Sequence, residues 1–398
     1  MPLALREFVK RIVGESGKAV IRRWRVLLYE YRHAPAIRYQ WMTMKPRRPV
    51  EAQTTPSVGV SAGGASRRTK KHVLFVTEKW CDNNPECGVT HAIHNLFGSL
   101  ETSGLGTQDK FHLDEYHVQT GRSGDVALLQ QCLDTKPDLI FLTWLPFGGF
   151  NPKFETLRII RNMGVPIVAL WWDSVNPSIM EMAEGITPLV NVNILTDSAS
   201  AYLTSTRTHD KFMPIFPPQD TRVFCDPGWT RDIGISFVGS IGNNNNIRGF
   251  ADRRSALDAL RAAGLEVFHS GGQRESPLSL EEYARTFKRS RIGLNFSKAG
   301  AGGEFTHMKL RVLETTLCGA LLLEADNQET SRWFTPMVDY VPFFNQSDLV
   351  DKARYYLEHE DERSAIARQG NRTAMERYNS ERFWATLFAR VFGPDSSR

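Results

Sequence analysis

Short unbroken apolar runs alternate with stretches of helical periodicity along most of this chain, and that alternation constrains the fold more than any other feature. HVLFVTE, FHLDEYHVQ, DLIFLTWL, VPIVALWW and VNILT each read as a strand, with helical patterns near 88–100, 125–135 and 152–163 between them. A strand apolar on both sides of its pleat is covered on both faces, as in a parallel sheet wrapped by crossover helices. Around VFCDPGWTRD (223–232) the pattern breaks and a second series begins. It runs through DIGISFVGS, a helix at about 250–263, LEVFHS, a helix at 279–290, RIGLNFS, a helix at about 307–318, ALLLEA and YVPFF, and closes with helices from Asp348 to Phe392. The expected fold class is α/β, with two tandem doubly wound, Rossmann-like domains facing a cleft lined by the C-terminal ends of both sets of strands.

The 398 residues suffice for two such cores. The expected division is a basic amphipathic helical arm at 1–44, a flexible linker at 45–71, a first Rossmann-like domain at 72–222, a second at 232–375, and a closing helix at 376–398 that returns to the first domain. The linker KPRRPVEAQTTPSVGVSAGGASRRTKK is rich in Pro, Gly, Ser, Thr and charge. In the arm, Leu5, Phe8, Val9, Ile12, Val20, Trp24, Leu27, Leu28 and Tyr31 fall near helical spacing among basic side chains.

Charge is divided along the same boundary. The net charge is +5, but residues 1–72 hold 16 Lys and Arg against 4 Asp and Glu, a balance of +12 that leaves −7 for the rest. An acidic body argues against nucleic acid as a partner, since a binding face would be coated with cations. The arm suits an anionic membrane surface, and its apolar face equally suits docking on the globular body. Five cysteines form no paired framework, the start MPLALREFVKRIVG interrupts any signal-like apolar stretch with charge, and no window approaches 18 apolar residues. A cytoplasmic protein, peripheral at the inner face of a membrane if the arm inserts, is expected.

The most informative stretch is RIGLNFSKAGAGGEFTHMKLRVLETTLCGALLLEAD (291–326), a strand, a Gly-rich loop, a helix and a strand. Gly300, Gly302 and Gly303 allow close backbone approach, and the helix start that follows favours an anion. On a helix over 307–318, His307, Arg311 and Glu314 share a face, with Lys309 in the first turn. The pattern fits Lys309 and Arg311 neutralising a diphosphate while Glu314 accepts from ribose hydroxyls, and it equally fits an Arg311–Glu314 surface pair. A second loop, FVGSIGNNNN, follows the first strand of the domain and brings Gly239, Ser240 and Gly242 before a helix carrying Arg253 and Arg254. Two Gly loops at strand C-termini can close on one anionic ligand.

FVGS (237–240), KLRVLETTLCGALLLEAD (309–326), WFTP (333–336) and SDLVDKARYYLEHEDERSAIARQGNRTAMERY (347–378) resemble the group-1-like glycosyltransferases of the spore-maturation-protein type, over roughly 232–392. The resemblance implies a GT-B fold and transfer of a sugar from a nucleotide-diphosphate sugar to a glycan, lipid-linked or other acceptor. It places the donor in the second domain and the acceptor in the first, with no metal or other cofactor, and suggests a role in polysaccharide and cell-envelope assembly. It assigns Lys309 and Arg311 to the leaving diphosphate and Glu314 to the ribose. Related retaining enzymes carry a Glu eight positions before the second Glu, where this chain has Thr306, so Glu304 becomes the candidate sugar contact. Two other readings stay open: a nucleotide-sugar epimerase of the same fold, and a non-catalytic nucleotide-sugar-binding scaffold.

In the first domain, VALWWDS (168–174) places Trp171, Trp172 and Asp173 at a strand end. An aromatic platform and a carboxylate suit an acceptor hydroxyl, and a core tryptophan pair with Asp173 as a helix cap fits equally. Cys81, Cys87, His91 and His94 lack a zinc spacing, so no metal is expected there, although Glu78 or His91 could reach the acceptor. For the arm, membrane contact predicts that the protein co-sediments with anionic vesicles and that deleting residues 1–44 abolishes this. Equal sedimentation of both forms would remove the helix from that role.

Overall fold

The structure, a computed structural model, describes residues 70–145, 150–196, 209–241, 248–271, 278–299 and 305–393. The expected arm at 1–44, nearly all of the linker, and the candidates Gly242, Gly302, Gly303 and Glu304 lie outside the described residues.

The first sheet is six-stranded and parallel, in the order β2-β1-β3-β4-β5-β6. Its strands are β1 (Lys71–Thr77), β2 (Gly106–His112), β3 (Leu139–Thr143), β4 (Ile167–Trp171), β5 (Val192–Leu195) and β6 (Phe212–Pro214). Between them lie α1 (His91–Ser103), α2 (Leu113–Thr120), α3 (Asp125–Thr135), α4 (Phe154–Asn162) and α5 (Pro177–Ile186). Every residue of β3 and β4 is buried, as runs apolar on both pleat faces require.

The second sheet is five-stranded and parallel, in the order β13-β12-β9-β7-β8. It contains β7 (Ile233–Val238), β8 (Val267–Ser270), β9 (Ser290–Asn295), β12 (Leu321–Ala325) and β13 (Val341–Phe343), while β10 (Lys298–Ala299) and β11 (Phe305–Thr306) form a separate antiparallel pair. Its helices are α6 (Arg248–Ala262), α7 (Leu280–Arg289), α8 (Leu310–Leu317), α9 (Gln328–Trp333), α10 (Gln346–Glu358), α11 (Glu360–Arg377) and α12 (Ser380–Phe392). Two parallel-sheet, Rossmann-like layers of this kind are the expected fold class.

Three sequence expectations change. FHLDEYHVQ is not one strand: β2 ends at His112 and α2 begins at Leu113. The buried Asp114 carboxylate accepts from the amides of Lys79, Trp80 and Glu115, so its interactions fix a helix start and the loop after β1 together. The helix that Asp173 was one candidate to cap is α5, and its cap is Asn176 instead, whose side chain accepts from Ser178 N, with Pro177 at the first helical position. The helix expected at 307–318 begins only at Leu310, because Lys309 is extended at its N-cap and His307 follows β11.

The closing helix α12 packs against the first sheet and α1 rather than the second sheet. Phe383, Trp384, Leu387 and Phe388 join Val73, Phe75, Ile93, Leu96 and Phe141 in one core. The Trp384 ring lies 5.9 Å from Phe75 and 5.5 Å from Phe141, and its indole N–H donates to Ser99 Oγ at 3.0 Å. Among the described residues no helix is long and apolar enough to cross a membrane. Truncating Trp384→Ala should destabilise the protein by about 3–5 kcal/mol, through lost aromatic packing in this core. Urea unfolding measures this, and a loss under 1 kcal/mol would mean that α12 is only loosely docked.

Candidate active site between the two sheets

The C-terminal strand ends of both sheets meet at a cleft of about 460 Å³. The first sheet contributes Trp172 and Asp173 after β4, with Thr90 and His91 at the start of α1. The second contributes Gly239 and Gly271 after β7 and β8, Tyr283 from α7, and His307, Lys309, Arg311 and Glu314 around the start of α8.

Arg311 is the most firmly held of these. Its Nε donates to Val238 O at 2.7 Å and its Nη1 to Asn295 Oδ1 at 2.6 Å, and its guanidinium lies 5.0 Å from the Phe237 ring centre. The close approach needs Gly239, since a Cβ there would sit 2.5 Å from Arg311 Nη2. Behind it, Asn295 Nδ2 donates to Glu324 at 2.7 Å, and Glu324 also accepts from Ser297 Oγ and from Asn327 Nδ2 at 3.0 Å. Arg311 and Glu314 are therefore not a solvated surface pair. Glu314 is 3% exposed, accepts from Tyr283 Oη at 2.5 Å, and is raised to about 7 by burial against the opposing pull of Tyr283 and Arg311. Tyr283 was not legible as a site residue, because nothing in SLEEYARTF sets it apart from a core aromatic.

Across the cleft, Asp173 Oδ1 lies 3.3 Å from His307 Nδ1. Asp173 sits in the left-handed region, φ 51, a conformation that costs energy for a residue with a Cβ and that clusters at functional positions. Its side chain keeps 58% of its surface open to the cleft. Burial works against its charge, but His307, Lys309 and Arg253 outweigh that and hold its carboxyl below the usual range. Burial, with Lys309 alongside, drives His307 well below its ordinary value, so the imidazole is neutral and its Nδ1–H is the donor to Asp173. The His307–Asp173 contact comes from the extended approach to α8, not from a shared helical face.

Of the other candidates, Ser240 follows Gly239, with its carbonyl accepting from Arg253 Nη1 at 2.9 Å. Trp171 corrects the paired platform: it is buried, with its indole donating to Asn193 Oδ1 at 2.8 Å, and Trp172 alone reaches the cleft. His91 lines the cleft with its ring 5.2 Å from Tyr283, whereas Glu78 lies outside the cleft wall, its carboxyl raised to about 7 by burial. Among the described residues no three His, Cys, Asp or Glu side chains group as metal ligands.

The fold has counterparts. A family model described as "Glycosyl transferase-like" matches residues 221–389, the second domain and the closing helices. Among solved structures, Anabaena Alr3699/HepE in complex with UDP-glucose is 12% identical, with a TM-score of 0.53 over 80% of this chain and 99% of that one. Sucrose-phosphate synthase from Thermosynechococcus elongatus is 10% identical, with a TM-score of 0.55 over 81% of this chain and 99% of that one. A glycosyltransferase from Rickettsia africae is 9% identical, with a TM-score of 0.52 over 81% and 99% respectively. At such identities the likeness is one of fold, and the fold is that of GT-B glycosyltransferases. No curated protein sequence matches the chain.

The buried carboxyl behind Arg311 gives a pH test. Burial, opposed by its Ser297, Asn295, Arg311 and Asn327 neighbours, raises Glu324 from 4.5 to about 7. The folded protein then holds a proton there that the unfolded chain releases, so this group's contribution is present below its unfolded value and is lost as pH rises through 7. Relative to Glu324→Gln, the wild type should gain about 1 kcal/mol of stability from pH 8 to pH 6, read by urea unfolding. An unchanged difference would mean that Glu324 does not titrate in that range.

Proposed function

We propose that this protein is a metal-independent glycosyltransferase that moves a sugar from a nucleotide-diphosphate sugar to a glycan, lipid-linked or other acceptor. The observation that carries this reading is the convergence of Lys309, Arg311 and Glu314 on one cleft between two Rossmann-like layers. Fixed cations at the start of α8 can take the charge that develops on a leaving diphosphate, the work a divalent ion does elsewhere. Glu314, with Tyr283 bonded to it, suits a pair of ribose hydroxyls. Asp173 and Trp172 face them from the other sheet and suit the acceptor.

In the proposed reaction the bond from the sugar's anomeric carbon to the diphosphate oxygen breaks and the acceptor oxygen takes its place. The acceptor hydroxyl's proton leaves to a base, for which Asp173 is the candidate in the first domain. Retention at the anomeric carbon and membership of the spore-maturation-protein type are proposed on the sequence resemblance, and work at the cytoplasmic face of a membrane on the cysteine usage and the basic amphipathic arm at 1–44. The UDP-glucose complex of the Anabaena neighbour supports a nucleotide sugar as the donor class.

Thermal stabilisation by UDP, GDP, ADP, CMP and TDP, with and without Mg²⁺ and EDTA, tests the donor site. A ligand at 100 times its Kd should stabilise the wild type by about 2.7 kcal/mol, without regard to EDTA, and Glu314→Ala should lose the shift. Lys309→Ala should lower the transfer rate about 100-fold or more, because the lost contact is strongest in the transition state. Absence of any nucleotide shift in the wild type would favour a scaffold that shares only the fold.

A further inference from the structure

The Glu314 carboxylate is not left to find its own direction. Tyr283, reaching over from α7, donates its Oη–H to Glu314 Oε2 at 2.5 Å, and both residues line the cleft. Burial and the Glu314 charge push the phenol well above its ordinary value, so it stays protonated and remains a donor. A buried carboxylate with one firm donor has lost most of its rotamer freedom before a ligand arrives, which leaves Oε1 as the oxygen it presents.

The phenol is itself held from three directions. Phe287, one turn along α7, meets its ring edge-on at 5.0 Å, and Phe224, from the connection between the two sheets, does so at 6.1 Å. The third ring is that of His91, the first residue of α1, whose centre lies 5.2 Å away with an interplanar angle of 56°. Phe224 and Phe287 are fully buried in the core beneath the cleft, whereas His91 comes from the opposite wall. Aromatic rings at such distances and angles hold one another in place. Without His91, one side of the ring whose hydroxyl aims the carboxylate would be free.

We propose that Tyr283 is a positioning residue for Glu314 and that His91 of the first domain steadies it, so that both domains together make the cleft prefer ribonucleotides to deoxyribonucleotides. The inference rests on the donor reading above, in which Glu314 meets the ribose, and gives the first domain a part in that contact. A site arranged to accept from a hydroxyl discriminates against the analogue that lacks it, because the acceptor is then left unpaired, and a carboxylate free to turn away escapes that cost. The discrimination is therefore a property of the aim that Tyr283 gives, and His91 acts on it through the Tyr283 ring.

The test is calorimetric titration of the full chain with UDP, GDP, ADP and CDP, each against its 2′-deoxy and 3′-deoxy counterparts, for wild type, Tyr283→Phe, His91→Ala and His91→Phe. The expected result is a wild-type preference for a ribonucleotide that falls about 10-fold in Tyr283→Phe, which keeps the ring and loses only the hydroxyl, while affinity for the deoxy form changes little. His91→Ala should lower the preference in the same direction by a smaller factor, and His91→Phe should retain it. Urea unfolding confirms that the variants are folded. An equal loss for ribo and deoxy forms in Tyr283→Phe would reduce the phenol to a structural brace and overturn the proposal. So would a ribo-to-deoxy ratio that Tyr283→Phe leaves unaltered, and under that outcome the donor reading stands. A full preference kept in His91→Ala would overturn the part given to the first domain. A wild type that binds both forms equally overturns the proposal and the ribose role of Glu314 while nucleotide binding stands, and one that binds none of these nucleotides overturns the donor reading as well.

Discussion

The anchoring of Arg311 is the interaction on which the cleft depends. An arginine in the first turn of a helix has many rotamers in water, and fixing one costs entropy that only several simultaneous hydrogen bonds offset. Here the Val238 carbonyl and the Asn295 amide oxygen take two of its N–H groups, and Asn295 is itself aligned by Glu324. The chain of contacts runs from β12 through β9 to α8, so the position of the guanidinium is set by the sheet. Gly239 is where that arrangement meets a steric limit, since any Cβ there would collide with the guanidinium.

The two sheets are tied together by segments far apart in sequence. The connection after β6 lays Asp220 against α1 so closely that a Cβ on Gly98 would fall 1.9 Å from its carboxylate. Arg222 then bridges Asp220 and Glu101, and the buried Asn95 amide donates to Gln219. The closing helix α12 adds a second attachment through Trp384. These contacts involve backbone approach, paired charge and aromatic packing, and they bring two strand-end rims to the opposite walls of one cavity.

Across that cavity, the pairing of Asp173 with His307 joins a residue on a left-handed turn to a buried neutral imidazole. The left-handed backbone projects the carboxylate away from the sheet and toward the second domain's cations. An ordinary helix cap, the alternative the sequence left open, would have kept it within its own domain.

The order of strands and helices was legible because it is written in periodicity. β1, β3, β4, β7, β9 and β12 are largely apolar and buried on both faces for most of their length, and no other regular structure hides such runs so simply. Gly239, Lys309, Arg311 and Glu314 could be singled out from their spacing around Gly-rich loops, since a short helix keeps neighbours together. The start of α8 was misplaced because nothing local distinguishes a first helical turn from the extended residues before it, and that moved His307 off the helix. Tyr283, Asn295 and Glu324 were illegible for a different reason: each acquires its role from a partner 16 to 31 residues away. The sequence by itself determined the layers and the chemistry available at their edges, because burial patterns and backbone conformation are local. The tertiary structure alone decided which edges face each other, which carboxyls lose their water and which arginine is held, because desolvation and charge pairing depend on distance in space.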